Sequence, residues 1–441
     1  MTPTRALDSE REGSMDVIVD RCGGLDVHKR TVVACVRTPG SGRQKRHAEV
    51  RTFATFEHDL EDLRDWLVDV GVSQVAMEAT GVFWRPVWHV LVGHGFEVLL
   101  VNPAHIKNVP GRKTDVNDAT WIAQLLECGL LRGSFVPPTE IAQLREITRY
   151  RRQLTEERSR EVQRLQKLLE DANVKLSSVA TDTLGVTGRM VLDALCAGER
   201  DCDTLAAMAQ GRLKAKTELL RRSLPGRFND FHALMTRELL AHIDYLDAAV
   251  ARLDTQVDEL MVPFADARDR LDTIPGVAKR NAEIIIAEIG VDMTQFPTPA
   301  HLASWAGLCP GNNESAGKHK STATRSGNPW LTSALVEAAW SAIRTKDCYL
   351  AVRFQRIRKR RGERRALIAI AHTILVICWH LHVDNTTYTE LGTDYLAGKR
   401  PTRPTPQTPR RPTRTTRLHG PTQPRSLNPP TQAAGTGPRT S

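Results

Sequence analysis

Four acidic residues in the N-terminal third of the sequence are candidates for a functional site. Asp26 and Glu78 each end an apolar segment, in G-L-D-V-H and V-A-M-E-A. Asp115 and Asp118 are three residues apart in K-T-D-V-N-D-A, where a predicted helix starts and would present both on one side. An acid among apolar residues is unfavourable unless it is paired or binds a metal. The set of four predicts a shared divalent-cation site.

Such a site is suited to chemistry on phosphate esters. Mg²⁺ prefers oxygen ligands and keeps water positions open, and it removes the repulsion between converging carboxylates. Two ions about 4 Å apart hold the attacking and leaving oxygens of a phosphodiester. Single acids also have structural interpretations, because Asp26 could cap a turn and Asp115 could be the N-cap of its helix.

A polar, basic loop in the C-terminal half offers a candidate nucleophile. Ser315 is followed by alanine and glycine, and a serine in such a loop approaches a phosphate closely but needs a base or a metal to attack it. Ser321 and Ser326 are alternatives, although S-G-N-P around the latter is typical of a turn and helix cap. Nearby cations that could hold the phosphate charge are Lys318, Lys320 and Arg325.

A second basic segment spans residues 353–365 and contains one acid, Glu363. Such a run binds phosphates with an affinity that falls as salt rises, and the alternative is a solvated helix face. Because the flanking segments are apolar, we predict nucleic-acid contacts by Arg358, Lys359 and Arg360.

The elements around the acids are predicted as three consecutive strands followed by alternating helices and strands. Strands are predicted at 15–27, 31–37, 48–55, 74–79 and 96–101, and helices at 56–70, 82–95 and 115–128. Three successive strands favour an antiparallel meander, and the later alternation favours parallel additions to the same sheet. The predicted class is α/β, in an order that resembles the ribonuclease H-like fold.

Helices separate this sheet from a mostly α C-terminal region. Apolar residues recur every three or four positions over 141–169, which indicates a coiled coil or a long helical hairpin. Residues 176–265 are predicted to be helical, with breaks near Gly185 and Pro225. The motif I-P-G-V then lies between apolar helices, which fits either a phosphate-binding helix-hairpin-helix or a plain turn.

Composition and charge further limit the possible partners and the cellular location of the protein. The 441 residues carry a formal net charge of +10, which suits a polyanionic partner, although the tail contributes much of that charge. The eight cysteines include no C-x-x-C pair and indicate reduced thiols, and the charged N-terminus indicates no signal peptide. The apolar run 367–383 contains three histidines and is short for a membrane span, so we predict a buried helix.

Several ordered motifs resemble transposases of the insertion sequence 110 family (IS110/IS116/IS902). Within about 18–130 they are G-L-D-V-H, M-E-A-T-G-V-F-W and K-T-D-V-N-D-A. Within 270–345 they are I-P-G-V, L-A-S-W-A-G-L-C-P-G, S-A-G-K and S-G-N-P-W-L. The middle helices and the tail match the family in character only.

The resemblance implies a RuvC-like N-terminal domain with an Asp-Glu-Asp-Asp quartet and Mg²⁺ or Mn²⁺ as cofactor. The quartet falls on Asp26, Glu78, Asp115 and Asp118. A serine nucleophile is also implied, with Ser315 as the candidate, but Ala316 stands where members often have glycine. The implied partners are element-end and target DNA, a structured noncoding RNA and further copies in a homodimer or homotetramer, without a membrane. A cytoplasmic, nucleoid-associated bacterial protein is expected.

The predicted organisation has five parts. They are a disordered segment 1–15, a RuvC-like metal-dependent domain 16–135, a helical coiled-coil region 136–268, a C-terminal transposase domain with the serine loop 269–390, and a disordered basic Pro/Thr/Arg tail 391–441.

The predicted function is that of a transposase that cuts and rejoins DNA by metal-assisted phosphoryl transfer through a serine, guided by RNA encoded by its element. One alternative is a junction-resolving nuclease that uses metal-activated water without a covalent intermediate. The basic C-terminal region with its serine loop argues against it, since such a nuclease needs no such region. A non-catalytic binder is a further alternative, and the presence of all four acids argues against that.

Overall fold

The computed structural model describes residues 17–40, 46–107, 117–309, 313–315, 318–321, 324 and 327–395. The segments predicted to be disordered, 1–15 and all but the first residues of 391–441, lie outside these ranges. The described strands are β1 (Cys22–Val27), β2 (Thr31–Pro39), β3 (Arg46–Ala54), β4 (Gln74–Glu78), β5 (Glu97–Val101), β6 (Asn313–Ser315) and β7 (Lys318–Ser321).

The described helices run from the sheet region to the C-terminal region. They are α1 (Glu57–Asp69), α2 (Trp84–Leu91), α3 (Pro103–Lys107), α4 (Asp118–Glu127), α5 (Thr139–Asp171), α6 (Val186–Cys196), α7 (Cys202–Ala207), α8 (Thr217–Ser223), α9 (Asp230–Leu260), α10 (Ala265–Asp272), α11 (Lys279–Ile289), α12 (Pro299–Trp305), α13 (Pro329–Ala342), α14 (Tyr349–Arg361) and α15 (Glu363–Asp384). Short 3-10 helices lie at Leu176–Ser178, Gly211–Lys216, Val262–Phe264 and Met293–Gln295.

The N-terminal strands form one sheet in the order β3-β2-β1-β4-β5. β1, β2 and β3 are antiparallel neighbours, whereas β4 and β5 run parallel to β1. This is the predicted meander with parallel additions, and it is compatible with a ribonuclease H-like domain. The first strand begins at Cys22, later than predicted, because the amides of Ile18 and Val19 donate to the carbonyl oxygen of Glu127 at the end of α4.

The two faces of the sheet are covered by different helices. Leu25 and Met77 pack among buried residues of α1 and α2 on one face. Ala76 and Val101 pack with buried residues of α4 on the other. Side chains alternate between the two faces of a sheet along each strand. These contacts therefore determine on which face each adjacent residue of β1, β4 and β5 lies.

Helix α4 lies directly on β1 because Gly24 has no side chain. A Cβ atom at Gly24 would lie 2.3 Å from both the carbonyl oxygen of Ala119 and the amide nitrogen of Ala123. Asn117 precedes the helix as its N-cap, and its side-chain oxygen accepts a hydrogen bond from the Ala119 amide at 2.9 Å. The helix therefore begins at Asp118, and the predicted start at Asp115 is wrong.

Gly24→Ala is expected to lower the free energy of unfolding by about 2–3 kcal/mol, because the new methyl group overlaps backbone atoms that have no room to move. Denaturant titration followed by circular dichroism measures the change. Gly23→Ala is the matched control, since its Cβ would meet the Val75 side chain at 3.3 Å and a side chain yields more easily. Equal losses in the two variants would contradict the close contact.

The middle of the chain is built around two long antiparallel helices, α5 and α9. Arg151 pairs with Asp254 and Arg158 with Asp247, so the pairing runs in opposite directions along the two helices. The breaks predicted near Gly185 and Pro225 are confirmed, because α6 starts after the first and α9 starts beyond the second. A heptad coiled coil stays a prediction.

The apolar pattern of α5 was predicted incorrectly at one position. Tyr150 is 53% exposed, although its spacing places it with the apolar residues of the helix. Thr148 and Arg151, beside it in α5, are buried instead. The reason is that α9 and α11 approach α5 through ion pairs as well as apolar contacts.

The I-P-G-V segment joins α10 to α11 as a tight turn. Gly276 has φ +87°, and a Cβ there would lie 2.3 Å from the carbonyl oxygen of Ala338 in α13. The turn is therefore packed closely against α13 on the side of this glycine. A phosphate contact by a helix-hairpin-helix stays a prediction.

Helix α15 is long and apolar enough to cross a membrane by length and composition, yet half of its most apolar window is buried inside the protein. Ile370, Ala371 and Ile374 have no exposed surface. Burial and the charge of Arg270 lower the pKa of His382 to about 4, so its imidazole is neutral. These contacts match the buried helix predicted for residues 367–383.

Candidate catalytic site

Asp26 and Glu78 occupy neighbouring positions at the carboxyl ends of β1 and β4. The two strands are parallel, with Leu25 opposite Met77, so the next residue on each strand is an acid. Neighbouring strands lie about 4.8 Å apart. Because Ala76 faces α4, alternation along the strands places both carboxylates on the α4 face of the sheet.

Asp118 reaches the same edge from α4. The Cys22 thiol donates to the carbonyl oxygen of Ala123 at 3.5 Å, and Gly24 lies against both Ala119 and Ala123. Moving along β1 toward its carboxyl end therefore means moving along α4 toward its N-terminus. Asp118, the first residue of the helix, lies at the end of β1 that carries the first acid.

The local contacts differ among these three acids. The side chain of Asp26 is 19% exposed, and its Oδ2 atom lies 3.1 Å from Nε2 of His28. Glu78 is half-buried and Asp118 is exposed. An acid in the first turn of a helix interacts favourably with the helix dipole. Asp118 therefore also stabilises α4, whether or not it binds a metal. The histidine was not predicted, although it stands two residues after the acid in G-L-D-V-H.

The donor set at this edge fits a hard divalent cation. Carboxylate oxygens with access to solvent are the ligands that Mg²⁺ prefers. Within the described ranges, no three His, Cys, Asp or Glu side chains are close enough together to hold a metal. Asp115, the fourth acid, lies outside those ranges.

Ser315 lies at the end of β6, in a short hairpin between α12 and α13. Its backbone pairs with Lys318 of β7, and Asn313 pairs with Ser321. Lys318 and Lys320 belong to β7. Part of the predicted loop is therefore a two-stranded hairpin. Arg325 and Ser326 lie outside the described residues.

The hairpin returns to the fold at a fixed point. A Cβ at Gly327 would lie 2.3 Å from the carbonyl oxygen of Ala306. The side-chain oxygen of Asn328 accepts hydrogen bonds from the amides of Trp330 and Leu331 at 3.1 Å and caps α13. Its side-chain nitrogen donates to Oε2 of Glu288 at 2.6 Å.

Glu288 is the centre of a buried ionic network between α5, α11 and α13. Its side chain has no exposed surface, and Arg149 donates to both of its carboxylate oxygens at 2.7 Å. Arg145 lies 3.5 Å away and donates to the carbonyl oxygens of Ala287 and Glu288. Burial lowers the pKa of Arg145 to about 10 and the charge of Glu288 opposes this, so the arginine remains charged at neutral pH.

The basic segment forms the last turn of α14. Arg358, Lys359 and Arg360 are exposed there, and Gly362 with φ +81° ends the helix. Cations in the last turn of a helix are stabilised by its dipole, which is the structural alternative to a phosphate contact. The exposure of all three leaves them accessible to a polyanion.

We expect replacement of these three cations by alanine to weaken DNA binding and to reduce the slope of log K against log salt by about 3, at about 0.9 per phosphate contact. Fluorescence anisotropy between low and high salt measures the slope. The matched control replaces three exposed cations of the helical middle, Arg212, Lys214 and Arg222. If the control lowers the slope as much, the effect is one of net charge and the α14 surface is not a contact.

Two family models match this chain. The model of the DEDD transposases of IS110 matches residues 23–174 and so includes all four predicted acids. The model described as Transposase IS116/IS110/IS902 family matches residues 268–355 and includes Ser315. Together they span more than half of the chain, and the DEDD family implies a general dependence on divalent metal.

Known transposases and recombinases are similar over most of the chain. The transposase for insertion sequence element IS1111A of Coxiella burnetii is 24% identical over 338 residues, which are 72% of this chain and 79% of that protein. The pilin gene-inverting protein of Moraxella lacunata is 24% identical over 394 residues, 83% of this chain and 96% of that protein. An IS110 protein of Streptomyces coelicolor is 33% identical over 120 residues, 27% of this chain and 29% of that protein. The chain belongs to the IS116/IS110/IS902 transposase family and is an enzyme that acts on DNA as a transposase or recombinase.

Proposed function

We propose that this transposase cuts and rejoins DNA by metal-assisted phosphoryl transfer, with Ser315 as the nucleophile. The observation that carries the proposal is the in-register placement of Asp26 and Glu78, with Asp118 at the same edge of the sheet. Ser315 lies on the hairpin that precedes α13, whose N-cap Asn328 donates a hydrogen bond to Glu288.

The acids of the sheet edge are the proposed metal ligands. Asp26, Glu78 and Asp118 would hold Mg²⁺ or Mn²⁺ together with Asp115. A divalent cation bound there supplies charge neutralisation and a Lewis acid for the reacting phosphate. Through that cation the acids would fix the position of the phosphate at the sheet edge, and His28 would orient the carboxylate of Asp26.

The cutting step replaces one phosphate ester by another. The Oγ atom of Ser315 attacks the phosphorus, an O–P bond forms to the serine, and the P–O bond to one deoxyribose oxygen breaks. The serine proton leaves to a base, and the departing oxygen takes up a proton. Lys318, Lys320 and Arg325 would hold the phosphate charge.

Rejoining is the same exchange in reverse. A deoxyribose hydroxyl of the new partner strand attacks the phosphoserine and displaces the serine oxygen. Each step breaks one ester bond and forms another, so no external energy source is needed. The Moraxella relative is named for inverting a pilin gene, and an inversion requires that the cut ends be rejoined. This favours the serine reaction over hydrolysis by a junction-resolving nuclease.

Further partners are proposed from the family resemblance. They are a structured noncoding RNA encoded by the element, and other copies of the chain in a homodimer or homotetramer. The exposed cations Arg358, Lys359 and Arg360 are the proposed nucleic-acid surface of α14. A nucleoid-associated location in the bacterial cytoplasm is consistent with a DNA substrate.

The experiment that tests the proposal distinguishes joining from hydrolysis. Full-length protein is incubated with Mg²⁺, the RNA that flanks the element, labelled donor DNA and target DNA. We expect strands in which donor and target sequences are covalently joined, and we expect their loss when Mg²⁺ is replaced by a chelator or the RNA is omitted. Cut ends without joined strands would identify the nuclease instead.

A further inference from the structure

A groove between α5 and the start of α13 has aromatic side chains on both sides. It encloses about 400 Å³, and the residues that line it are Glu146, Ile147, Arg149, Tyr150, Gln153 and Trp330. Tyr150 projects from the middle of α5 with 53% of its surface exposed. Trp330, on the other side, is half-buried.

One wall of the groove is held rigid by the buried ionic network. The Arg149 guanidinium lies 5.7 Å from the centre of the Trp330 ring, and both of its hydrogen-bonding nitrogens are fixed by Glu288. The amide of Trp330 is held by Asn328. These side chains are therefore ordered before a planar ligand binds. Binding then costs little free energy for ordering them.

The polar groups of the groove point to a heterocyclic ligand. Tyr150 and Gln153 are exposed, so the tyrosine hydroxyl and the glutamine amide are accessible in the groove, which Trp330 also lines. A side-chain amide pairs with two atoms of a base edge, and aromatic side chains stack on the face of any base. An aromatic stacking surface next to accessible hydrogen-bonding groups is typical of sites for unstacked nucleobases.

The groove lies beside the N-terminus of α13, the helix that follows the serine hairpin along the chain. Glu146 accepts a hydrogen bond at 3.4 Å from Arg85 of α2, the helix that follows Glu78 along the chain. Trp330 stands two residues after Asn328, the N-cap of α13. A DNA strand that reaches the serine hairpin would pass near the start of α13, which forms one wall of the groove.

We propose that the groove binds one unstacked nucleobase of the DNA strand that is cut and rejoined. The inference rests on the proposed function in one respect, the binding of that strand at the serine hairpin. Holding a base out of the stack fixes the backbone next to it, so the groove would set the position of the phosphate relative to Ser315.

Binding of single-stranded DNA to the full-length protein in a chelator tests the groove without requiring catalysis. The probe is a fluorescent single-stranded oligonucleotide of mixed sequence, followed by anisotropy. Tyr150→Ala is expected to weaken binding about 5- to 100-fold, since stacking on one aromatic ring is lost, whereas Tyr150→Phe keeps the ring and most of the affinity. The matched control is Tyr245→Ala, at a tyrosine of α9 that is 61% exposed.

Abasic substitution in the oligonucleotide locates the base that is held. Removing that base should weaken binding to the unaltered protein and leave binding to Tyr150→Ala unchanged, because the two changes remove the same contact. An unaltered affinity of Tyr150→Ala, an equal loss in Tyr245→Ala, or tighter binding of an RNA oligonucleotide of the same sequence would each overturn the assignment to DNA. Since no metal is present, failure of the serine reaction leaves this result unaffected.

Discussion

Asp26→Asn is expected to slow DNA cutting about 1,000-fold or more and to leave the fold intact. The carboxylate lies next to Glu78 across the sheet, and the amide that replaces it has the same shape but neither its charge nor its affinity for a divalent ion. Loss of one group that stabilises charge in a phosphoryl-transfer transition state has effects of this size. The measurement is the single-turnover rate of cutting of end-labelled DNA, with a thermal melt of the same preparation.

Asp69→Asn is the matched control for that variant, because Asp69 is an exposed acid of α1 on the same domain. It is expected to cut DNA at the normal rate. If the acids act as one site, Asp26→Asn combined with Glu78→Gln should be little worse than either change alone, since groups that work as a unit are not additive. Rates within about tenfold of normal in Asp26→Asn would show that this edge does not hold the reacting phosphate.

Glu288→Ala is expected to lower the free energy of unfolding by about 3–5 kcal/mol, because it leaves the buried charges of Arg145 and Arg149 without a partner. It also removes the acceptor of the Asn328 side chain at the base of the serine hairpin. Urea titration of the full-length protein measures the change.

An exposed ion pair of the same two regions supplies the control. Glu337 pairs with Arg152 at 2.8 Å but is 53% exposed, so Glu337→Ala should cost less than about 1 kcal/mol. Similar decreases in the free energy of unfolding in the two variants would mean that the burial of Glu288 does not strengthen the contact between α5, α11 and α13.

The sheet and the placement of its acids were predictable because they depend on local patterns. Short runs of apolar and β-branched residues define strands, and their order gives the meander and the parallel additions that the structure has. Asp26 and Glu78 end adjacent strands, so their proximity follows from the topology. Gly24 in β1 also indicated the close contact with α4, since a glycine within a strand often marks close approach of another backbone.

Two errors in the prediction have a competing local interaction as their cause. The helix predicted from Asp115 begins at Asp118, because the Asn117 side chain caps it. The strand predicted from residue 15 begins at Cys22, because Ile18 and Val19 bond to the end of α4. In both cases one or two hydrogen bonds to a backbone group decided the boundary, and the spacing of apolar residues does not indicate such bonds.

The contacts that hold the serine hairpin were not predictable from the sequence. Glu288 and Arg149 are 139 residues apart, and each looks like an ordinary charged residue of an amphipathic helix. Tyr150 has the spacing of an apolar residue but is exposed, because α9 and α11 contact α5 through the neighbouring Arg151. Such contacts depend on how distant helices pack, which one sequence does not specify.

Trapping the covalent intermediate tests the central claim most directly. Protein, RNA, Mg²⁺ and labelled DNA are mixed, denatured and separated, and the protein bound to DNA is digested to find the modified residue. We predict an adduct on Ser315 that is lost in Ser315→Ala and kept in Ser321→Ala. Joined DNA strands from the Ser315→Ala protein, or an adduct on another residue, would contradict the account.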